Sequence, residues 1–303
     1  MLTRLGLGTV QFGLDYGINN LGGRVSPAEV RRILEYAARH DVRFLDTARI
    51  YGTSEEALGA ALAELDAFDE FTICTKLDLP DDIDSRSDEE ARELTRESLY
   101  TSLETLQVDA VPYYLSHRIE YFTRPAIWEY LKEQQQAGVI GSLGASVNRG
   151  VEEAWLYLED DAVELIQIPF NVIDGRWDES GFFRRARVAG VDLVSRSCYL
   201  QGLLLMDPAD GGARVDGSEQ YLAGIREVAA EAGIPAKELL LRFVLGRDEI
   251  KSTIIGVDGV EHLRENVAMA AGGPLAPEVV DALERRVNRA PEAIVNPSNW
   301  RTS

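Results

Sequence analysis

The sequence of 303 residues has few cysteines and few histidines, and each shortage excludes a class of protein. Cys74 and Cys198 are too few for a disulfide framework or a structural zinc site, which favours a reducing cytoplasm. The three histidines, His40, His117 and His262, lack the HxH or HxxxH spacing of a metal-binding element. Neither a secreted disulfide scaffold nor a metal-dependent enzyme is therefore expected.

Long hydrophobic runs and a basic surface are also missing. No window reaches the roughly eighteen apolar residues of a membrane-spanning helix, and the apolar stretch at the start is too short for a secretion signal. The 31 basic residues against 51 acidic ones give a net charge of −20. Such a chain repels phosphate backbones and anionic headgroups, so we expect a cytoplasmic protein that binds neither nucleic acid nor membranes.

Eight short apolar runs rich in β-branched residues predict eight strands, separated by segments of helical periodicity. The runs are residues 5–9, 43–47, 71–76, 111–117, 142–147, 165–170, 191–197 and 252–257. Repeated strand–helix units give a parallel sheet, and eight of them fit a closed (β/α)8 TIM barrel, one α/β domain over residues 1–303. An open doubly wound sheet is the alternative, although Gln11 replaces the third glycine of a GxGxxG turn.

The helical segments carry recognisable end signals. Ser26 and Glu29, and likewise Ser87 and Glu90, have the spacing of a capping box at a helix start. The remaining segments are interpreted as a helix between Pro125 and Gly138, a loop over 207–217, an extra C-terminal helix over 277–287 and a tail over 288–303.

Polar residues end several of the apolar runs. The second run contains Asp46, with Tyr51 just beyond it, and the next two runs end in Lys76 and His117. Taken alone, each residue is consistent with a structural role as a cap, a rim residue or a hydrogen-bonded core group. Carboxyl ends of barrel strands meet at one mouth, so their joint placement favours a common site.

These four side chains, which we call the tetrad, suit proton transfer. A tyrosine titrates near ~10 and is a poor acid at neutral pH. We expect the Lys76 ammonium to lower the pKa of Tyr51, while the Asp46 carboxylate holds Lys76 charged and in place. A neutral His117 can orient a carbonyl oxygen.

The segments LDTARIYGTSEEALG, TK and YLSH resemble the catalytic signatures of the aldo-keto reductase superfamily, and the resemblance spans nearly the whole chain. It implies a (β/α)8 enzyme that interconverts a small-molecule carbonyl and its alcohol with NAD(P)H. By this resemblance, Tyr51 is the general acid of reduction and the general base of oxidation. Lys76, paired with Asp46, tunes it, and His117 positions the substrate carbonyl.

The same resemblance implies a set of cofactor-binding residues. They are Gly8, Thr9, Val10, Asp46, Ser146, Gln167, Arg196, Ser197, Gly202, Gly256, Val257, Asp258, His262, Glu265 and Asn266. Two positions depart from the family pattern, since Val147 stands where asparagine is usual and Arg196 where an aromatic ring packs against the nicotinamide. An arginine plane can stack on that ring, and its charge disfavours the oxidised, positively charged form.

The sequence leaves open whether the cofactor carries a 2′-phosphate. NADP(H) is the usual cofactor of the family, and Arg264 would support its 2′-phosphate by turning inward. Asp258 would instead repel a phosphate and accept a hydrogen bond from the free 2′-hydroxyl of NAD(H), or it would merely cap the next helix. We therefore expect NADP(H) and NAD(H) equally.

Two other classes of function are alternatives. A non-catalytic or regulatory nicotinamide-binding protein on the same fold is one, because the cofactor segments match the family less well than the tetrad does. A barrel hydrolase or metal-dependent aldolase is the other, but no GxSxG elbow accompanies it. Arg49 and Arg118 would indicate an anionic or oxygen-rich substrate if they faced the pocket, although ion pairs with surface carboxylates are the simpler interpretation. The oligomeric state is not indicated.

Overall fold

The structure is a computed structural model that describes residues 2–16, 23–287 and 289–300. Its strands are β1 (Leu5–Gly8), β2 (Phe44–Asp46), β3 (Thr72–Lys76), β4 (Val111–Ser116), β5 (Ile140–Ser146), β6 (Val163–Pro169), β7 (Asp192–Arg196) and β8 (Ile250–Gly256). Each strand pairs in parallel with its sequence neighbours, and β8 pairs with β1. The predicted (β/α)8 barrel is confirmed, and the open-sheet alternative is excluded by this closure.

Helices surround the barrel. They are α1 (Val10–Gly13), α2 (Pro27–Arg39), α3 (Ser54–Leu65), α4 (Asp88–Leu106), α5 (Ile119–Thr123), α6 (Pro125–Gln136), α7 (Val151–Tyr157), α8 (Arg176–Glu179), α9 (Phe182–Ala189), α10 (Pro208–Arg214), α11 (Glu219–Ala232), α12 (Ala236–Leu245), α13 (Val260–Ala270), α14 (Pro277–Arg286) and α15 (Glu292–Val295). Their apolar faces form, with the outer face of the sheet, the main hydrophobic core. Within the described residues, no helix combines the length and apolar character that crossing a membrane requires.

The two predicted capping boxes differ in the structure. Ser87 and Glu90 bond reciprocally, as predicted. Ser26 accepts a hydrogen bond from the backbone of Glu29, but the Glu29 carboxylate does not return it. It accepts instead from the backbone N–H of Val260 at 2.7 Å. The predicted bond from the backbone N–H of Ser26 to the Glu29 carboxylate is therefore wrong, because that carboxylate binds the N-terminus of α13 instead.

The predicted loop over 207–217 is wrong, since it contains α10. Gly211 allows close helix packing, since a Cβ on it would lie 2.1 Å from Cδ1 of Leu222 in α11. The predicted extra helix is confirmed as α14. Within the predicted tail, α15 buries Ile294 and Val295, while residues 288 and 301–303 lie outside the described residues.

The alternation of side chains along the strands determines where the polar residues lie. A layer of apolar side chains fills the barrel interior: Phe44, Cys74, Leu115, Leu165, Val194 and Ile254. Side chains alternate along a strand, so the residue two positions after each of these also points toward the barrel axis, one layer nearer the carboxyl ends of the strands. Those residues are Asp46, Lys76, His117, Gln167, Arg196 and Gly256. The period of two therefore brings the predicted site residues together at one mouth.

Candidate active site

Lys76 is the last residue of β3 at this mouth and is fully buried. Its Nζ donates hydrogen bonds to Oδ1 of Asp46 at 2.7 Å and to the backbone oxygen of Thr47 at 2.7 Å. Burial is the largest single influence and lowers the pKa of Lys76, but Asp46, Tyr51 and Cys74 together outweigh it and the net pKa is raised. The lysine is therefore a charged and immobile donor at neutral pH.

Tyr51 lies in the loop between β2 and α3, and two glycines fix that loop. A Cβ on Gly13 would lie 1.9 Å from the backbone oxygen of Tyr51, so only glycine lets α1 approach so closely. Gly52 has a φ of +59°, which glycine adopts without strain. With the loop so placed, Nζ of Lys76 lies 5.2 Å from the centroid of the Tyr51 ring.

The electrostatic surroundings keep Tyr51 protonated. Burial raises the pKa of Tyr51 more than the Lys76 ammonium lowers it, while Asp46 adds to the rise and Arg196 opposes it. The expected influence of Lys76 is therefore present, but the expected net lowering is wrong, because desolvation of the phenolate dominates. At neutral pH the side chain is a phenol with a proton to donate.

His117 completes the tetrad from the end of β4. Its ring centroid lies 6.4 Å from that of Tyr51, with the planes at 82°. Burial lowers the pKa of His117 to about 3, and the charges of Lys76 and Arg196 act in the same direction. The imidazole is thus neutral at physiological pH, and it can hydrogen-bond a carbonyl oxygen placed beside Tyr51.

A chain of buried hydrogen bonds joins the tetrad to β5 and β6. Nε2 of Gln167 donates to Oδ1 of Asp46 at 2.7 Å. Oγ of Ser146 donates to Oε1 of Gln167 at 3.0 Å, and both side chains are buried. These two residues therefore belong to the same polar network as the tetrad.

A cavity of about 290 Å³ opens at the carboxyl ends of β5, β6 and β7. Its polar lining includes Asn148, Arg196, Ser197, Gln201, Asn296 and Ser298. Nη2 of Arg196 donates to the backbone oxygen of Val147 at 2.8 Å and to Oδ1 of Asn148 at 2.7 Å. Asn148 was missed from the sequence, where its signal is an asparagine one position beyond the one expected.

Comparison with known proteins agrees with this geometry. Residues 4–287 match the model of the Aldo/keto reductase family. The chain belongs to this family. As an aldo/keto reductase it is an oxidoreductase whose relatives generally use a nicotinamide cofactor and small carbonyl substrates.

Individual relatives of this aldo/keto reductase are distant. The uncharacterized oxidoreductases YqkF and YrpG of Bacillus subtilis are 26% identical to it over 83% and 88% of the chain, and over 85% and 86% of their own lengths. D-arabinose 1-dehydrogenase of Saccharomyces cerevisiae is 33% identical, over 38% of the chain and 35% of that protein. The holo form of aldo-keto reductase AKR11C1 from Bacillus halodurans superposes with a TM-score of 0.76, at 22% identity, covering 95% of this chain and 93% of that one. This last likeness shows the shared fold.

The predicted residues at the end of β1 occupy a tightly packed corner of the aldo/keto reductase. Thr9 is buried, and its hydroxyl contacts the backbone oxygen of Asp46 at 3.1 Å and Oγ of Ser54 at 2.8 Å. Gly8 ends β1, and Val10 begins α1. The Thr9 side chain thus ties β1 and β2 to α3.

Gln11 is a second residue that the sequence did not indicate as functional. A Cβ on Gly256 would lie 2.6 Å from Nε2 of Gln11, so the amide rests directly against the end of β8. Its Oε1 is buried and has no hydrogen-bond partner among the described residues. The amide oxygen is therefore available to a donor on a ligand at this seam.

The predicted polar residues around α13 mostly have partners within the protein. Asp258 pairs with His262 at 3.7 Å, and Glu265 pairs with Lys237 at 2.8 Å. Asn266 is buried and lies 3.3 Å from the hydroxyl of Tyr199. Val257 is buried between β8 and this helix, whereas Gly202 adopts a φ of +98° in the turn that follows β7.

The arginines flanking the tetrad do not face the cavity. Arg49 pairs with the buried Glu55 at 3.0 Å, and Arg118 lies 3.5 Å from Asp81. The simpler interpretation of these arginines, ion pairing with carboxylates, is the one the structure shows. The charge of Arg196, in contrast, acts on both Tyr51 and His117.

Proposed function

We propose that this aldo/keto reductase, acting as one barrel domain, reduces the carbonyl group of a small aldehyde or ketone with NAD(P)H, and that Tyr51 provides the proton. The observation that carries the proposal is the combination of a fully buried, charged Lys76 with a protonated Tyr51 and a neutral His117 at one mouth. A regulatory protein on the same fold needs no such arrangement, so the geometry favours catalysis.

Each member of the tetrad has a distinct part in this proposal. Tyr51 donates its proton to the carbonyl oxygen, which becomes the alcohol hydroxyl. Lys76 stabilises the phenolate that remains, and Asp46 keeps Lys76 oriented. His117 holds the carbonyl oxygen through a neutral N–H, so that the oxygen and the phenol meet.

The donor set at the mouth fits a nicotinamide dinucleotide. Ser146 and Gln167 present hydroxyl and amide groups beside the tetrad, and Arg196 and Ser197 continue the polar surface into the cavity. The unpartnered oxygen of Gln11 adds an acceptor at the seam of the barrel. When bound, the reduced nicotinamide supplies the hydride for the carbonyl carbon.

The charges around α13 support NAD(H) rather than NADP(H), if the adenosine lies there as in the family. Glu29 occupies the first N–H of α13 with a carboxylate, at 2.7 Å. Arg264, which would have supported a 2′-phosphate by turning inward, instead pairs with Glu261 at 3.2 Å and lies over the ring of Tyr36. An added phosphate would meet carboxylates here, whereas a ribose hydroxyl would find acceptors.

The proposal is tested by following oxidation of NADH and NADPH by absorbance in the presence of small aldehydes. Tyr51→Phe removes the proton donor while keeping the ring, and we expect kcat to fall by roughly 10²- to 10⁴-fold. Tyr100→Phe, at an exposed position on α4, is the matched control and should retain full activity. A folded Tyr51→Phe variant with undiminished turnover would overturn the assignment.

A further inference from the structure

Among the residues that the structure describes, Arg196 is a cation without a counter-ion. It makes hydrogen bonds to the oxygen atoms of Val147, Asn148 and Ser197, all of them neutral. No carboxylate in the described part of the chain forms an ion pair with it, although the protein carries 51 acidic residues. Both N–H groups of Nη2 are occupied and one of Nη1 meets Ser197, so the N–H of Nε and the second N–H of Nη1 remain as donors for a ligand.

The described lining of the cavity beside Arg196 contains no acidic side chain that could take the place of an anionic ligand. The second arginine of the lining, Arg176, is already held by the buried Asp174 through two hydrogen bonds of 2.8 Å. An anion entering this cavity would therefore meet Arg196 without competition from a protein carboxylate.

The charge balance of the mouth also favours the binding of an anion at Arg196. Lys76 is offset by Asp46, and both Tyr51 and His117 are neutral, so Arg196 leaves one uncompensated positive charge beside the reacting groups. A guanidinium that keeps unused donors and has no carboxylate partner binds a carboxylate more strongly than a neutral oxygen, because the hydrogen bond then joins opposite charges.

We propose that Arg196 binds a carboxylate on the carbonyl substrate, so that the enzyme selects oxo acids over neutral aldehydes and ketones. The inference rests on the proposed reductase function and assigns the specificity of the same site. Ser197 and Gln201 add a hydroxyl and an amide to the wall of the cavity, where they can bond the rest of a polar substrate. Arg49 and Arg118 do not compete for the carboxylate, because both are paired elsewhere.

The test compares 4-carboxybenzaldehyde with its methyl ester, which has the same ring and aldehyde but no charge. We expect the wild type to prefer the acid by roughly 10- to 100-fold in kcat/KM, since hydrogen bonds to charged groups contribute about 1.5–3 kcal/mol. Arg196→Gln should lose this preference, because KM should rise more for the acid than for the ester. Arg196→Lys should keep part of the preference for the acid. Arg185→Gln, on the exposed face of α9, should leave kcat/KM for the acid and for the ester unchanged.

The outcomes separate the two proposals. If the wild type reduces the ester and shows no preference for the acid, the inference is wrong and the reductase function stands. If Arg196→Gln lowers kcat/KM equally for the acid and the ester, and fluorescence titration shows weaker binding of NADH, then Arg196 binds the cofactor and the inference is also wrong. If the wild type reduces neither compound nor any other small aldehyde, the proposed function itself fails.

Discussion

Gln167 and Asp46 lie 121 residues apart in the chain, and Nε2 of the one donates to Oδ1 of the other at 2.7 Å. The same oxygen accepts the hydrogen bond of Lys76. Gln167 therefore acts on the tetrad through the carboxylate, by limiting the orientations in which Asp46 can meet Lys76. Its own orientation is fixed in turn by the hydroxyl of Ser146.

Replacing Gln167 by leucine should destabilise the protein. Oδ1 of Asp46 would lose the donor from Gln167 and the buried hydroxyl of Ser146 would lose its acceptor, so we expect the free energy of unfolding to fall by about 1–3 kcal/mol. Urea unfolding followed by circular dichroism measures this. Gln136→Leu, at the exposed end of α6, should stay within about 0.5 kcal/mol of the wild type, and equal values for the two variants would contradict the network.

The pH dependence of catalysis should follow the raised pKa of Tyr51. Reduction needs the protonated phenol, which is lost only as the pH rises through that pKa, above the ordinary value of ~10. We therefore expect kcat/KM for reduction to stay flat from about pH 6 to about pH 9, and kcat/KM for alcohol oxidation to rise over the same range. A tenfold loss of reduction per pH unit near neutrality would show instead that the pKa of Tyr51 is depressed.

The stability of the protein should depend on pH through His117. Its pKa is about 3 in the folded protein and about 6.5 in the unfolded chain, so the unfolded chain binds the proton more readily. The contribution of the neutral imidazole to stability is complete above about pH 6.5 and is lost progressively as the pH falls toward about 3. His117→Asn should therefore lose less stability than the wild type between pH 7 and pH 5, measured by thermal unfolding.

The control for this experiment is His40→Asn. His40 is exposed at the end of α2 and stacks on Tyr36 with ring centroids 4.0 Å apart. Its removal should leave the slope of stability against pH as in the wild type. Identical slopes for His117→Asn and the wild type would mean that His117 is not held neutral by burial.

Cofactor preference should respond to Glu29. Glu29→Gln keeps an oxygen for the N–H of Val260 but removes the negative charge at the start of α13. We expect the Kd for NADPH to fall relative to that for NADH by roughly 2- to 5-fold, as a charge near a helix end contributes about 0.3–1 kcal/mol. Fluorescence titration measures both constants. Glu35→Gln, on the same helix, is the control, and an unchanged ratio for Glu29→Gln would place the phosphate away from α13.

Much of the fold and of the tetrad was accessible from the sequence for a physical reason. Apolar runs of strand length mark the barrel, and parallel strands present their carboxyl ends on one side, so Asp46, Lys76 and His117 had to converge. The same period of two places Gln167 and Arg196 beside them. These predictions need only local patterns and the geometry of a closed parallel sheet.

The features that the sequence did not reveal depend on contacts between distant segments. The bond from Glu29 to Val260 spans 231 residues and replaces a local capping box that looked complete. Asn148 accepts a hydrogen bond from Arg196, which lies 48 residues further along the chain. The net pKa of Tyr51 depends on how thoroughly the folded protein excludes water, which pairwise proximity to Lys76 does not give.

The pairing of β1 with β8 has a consequence for how the protein is made. Leu5 lies beside Thr253 and Gly8 beside Gly256, so the first strand to leave the ribosome finds its second neighbour only when the last strand has been synthesised. Until then the growing sheet has two open edges, each able to pair with another nascent chain. We expect truncated chains that end before Ile250 to aggregate, and a chaperone that shields these edges during translation to increase the yield of active enzyme.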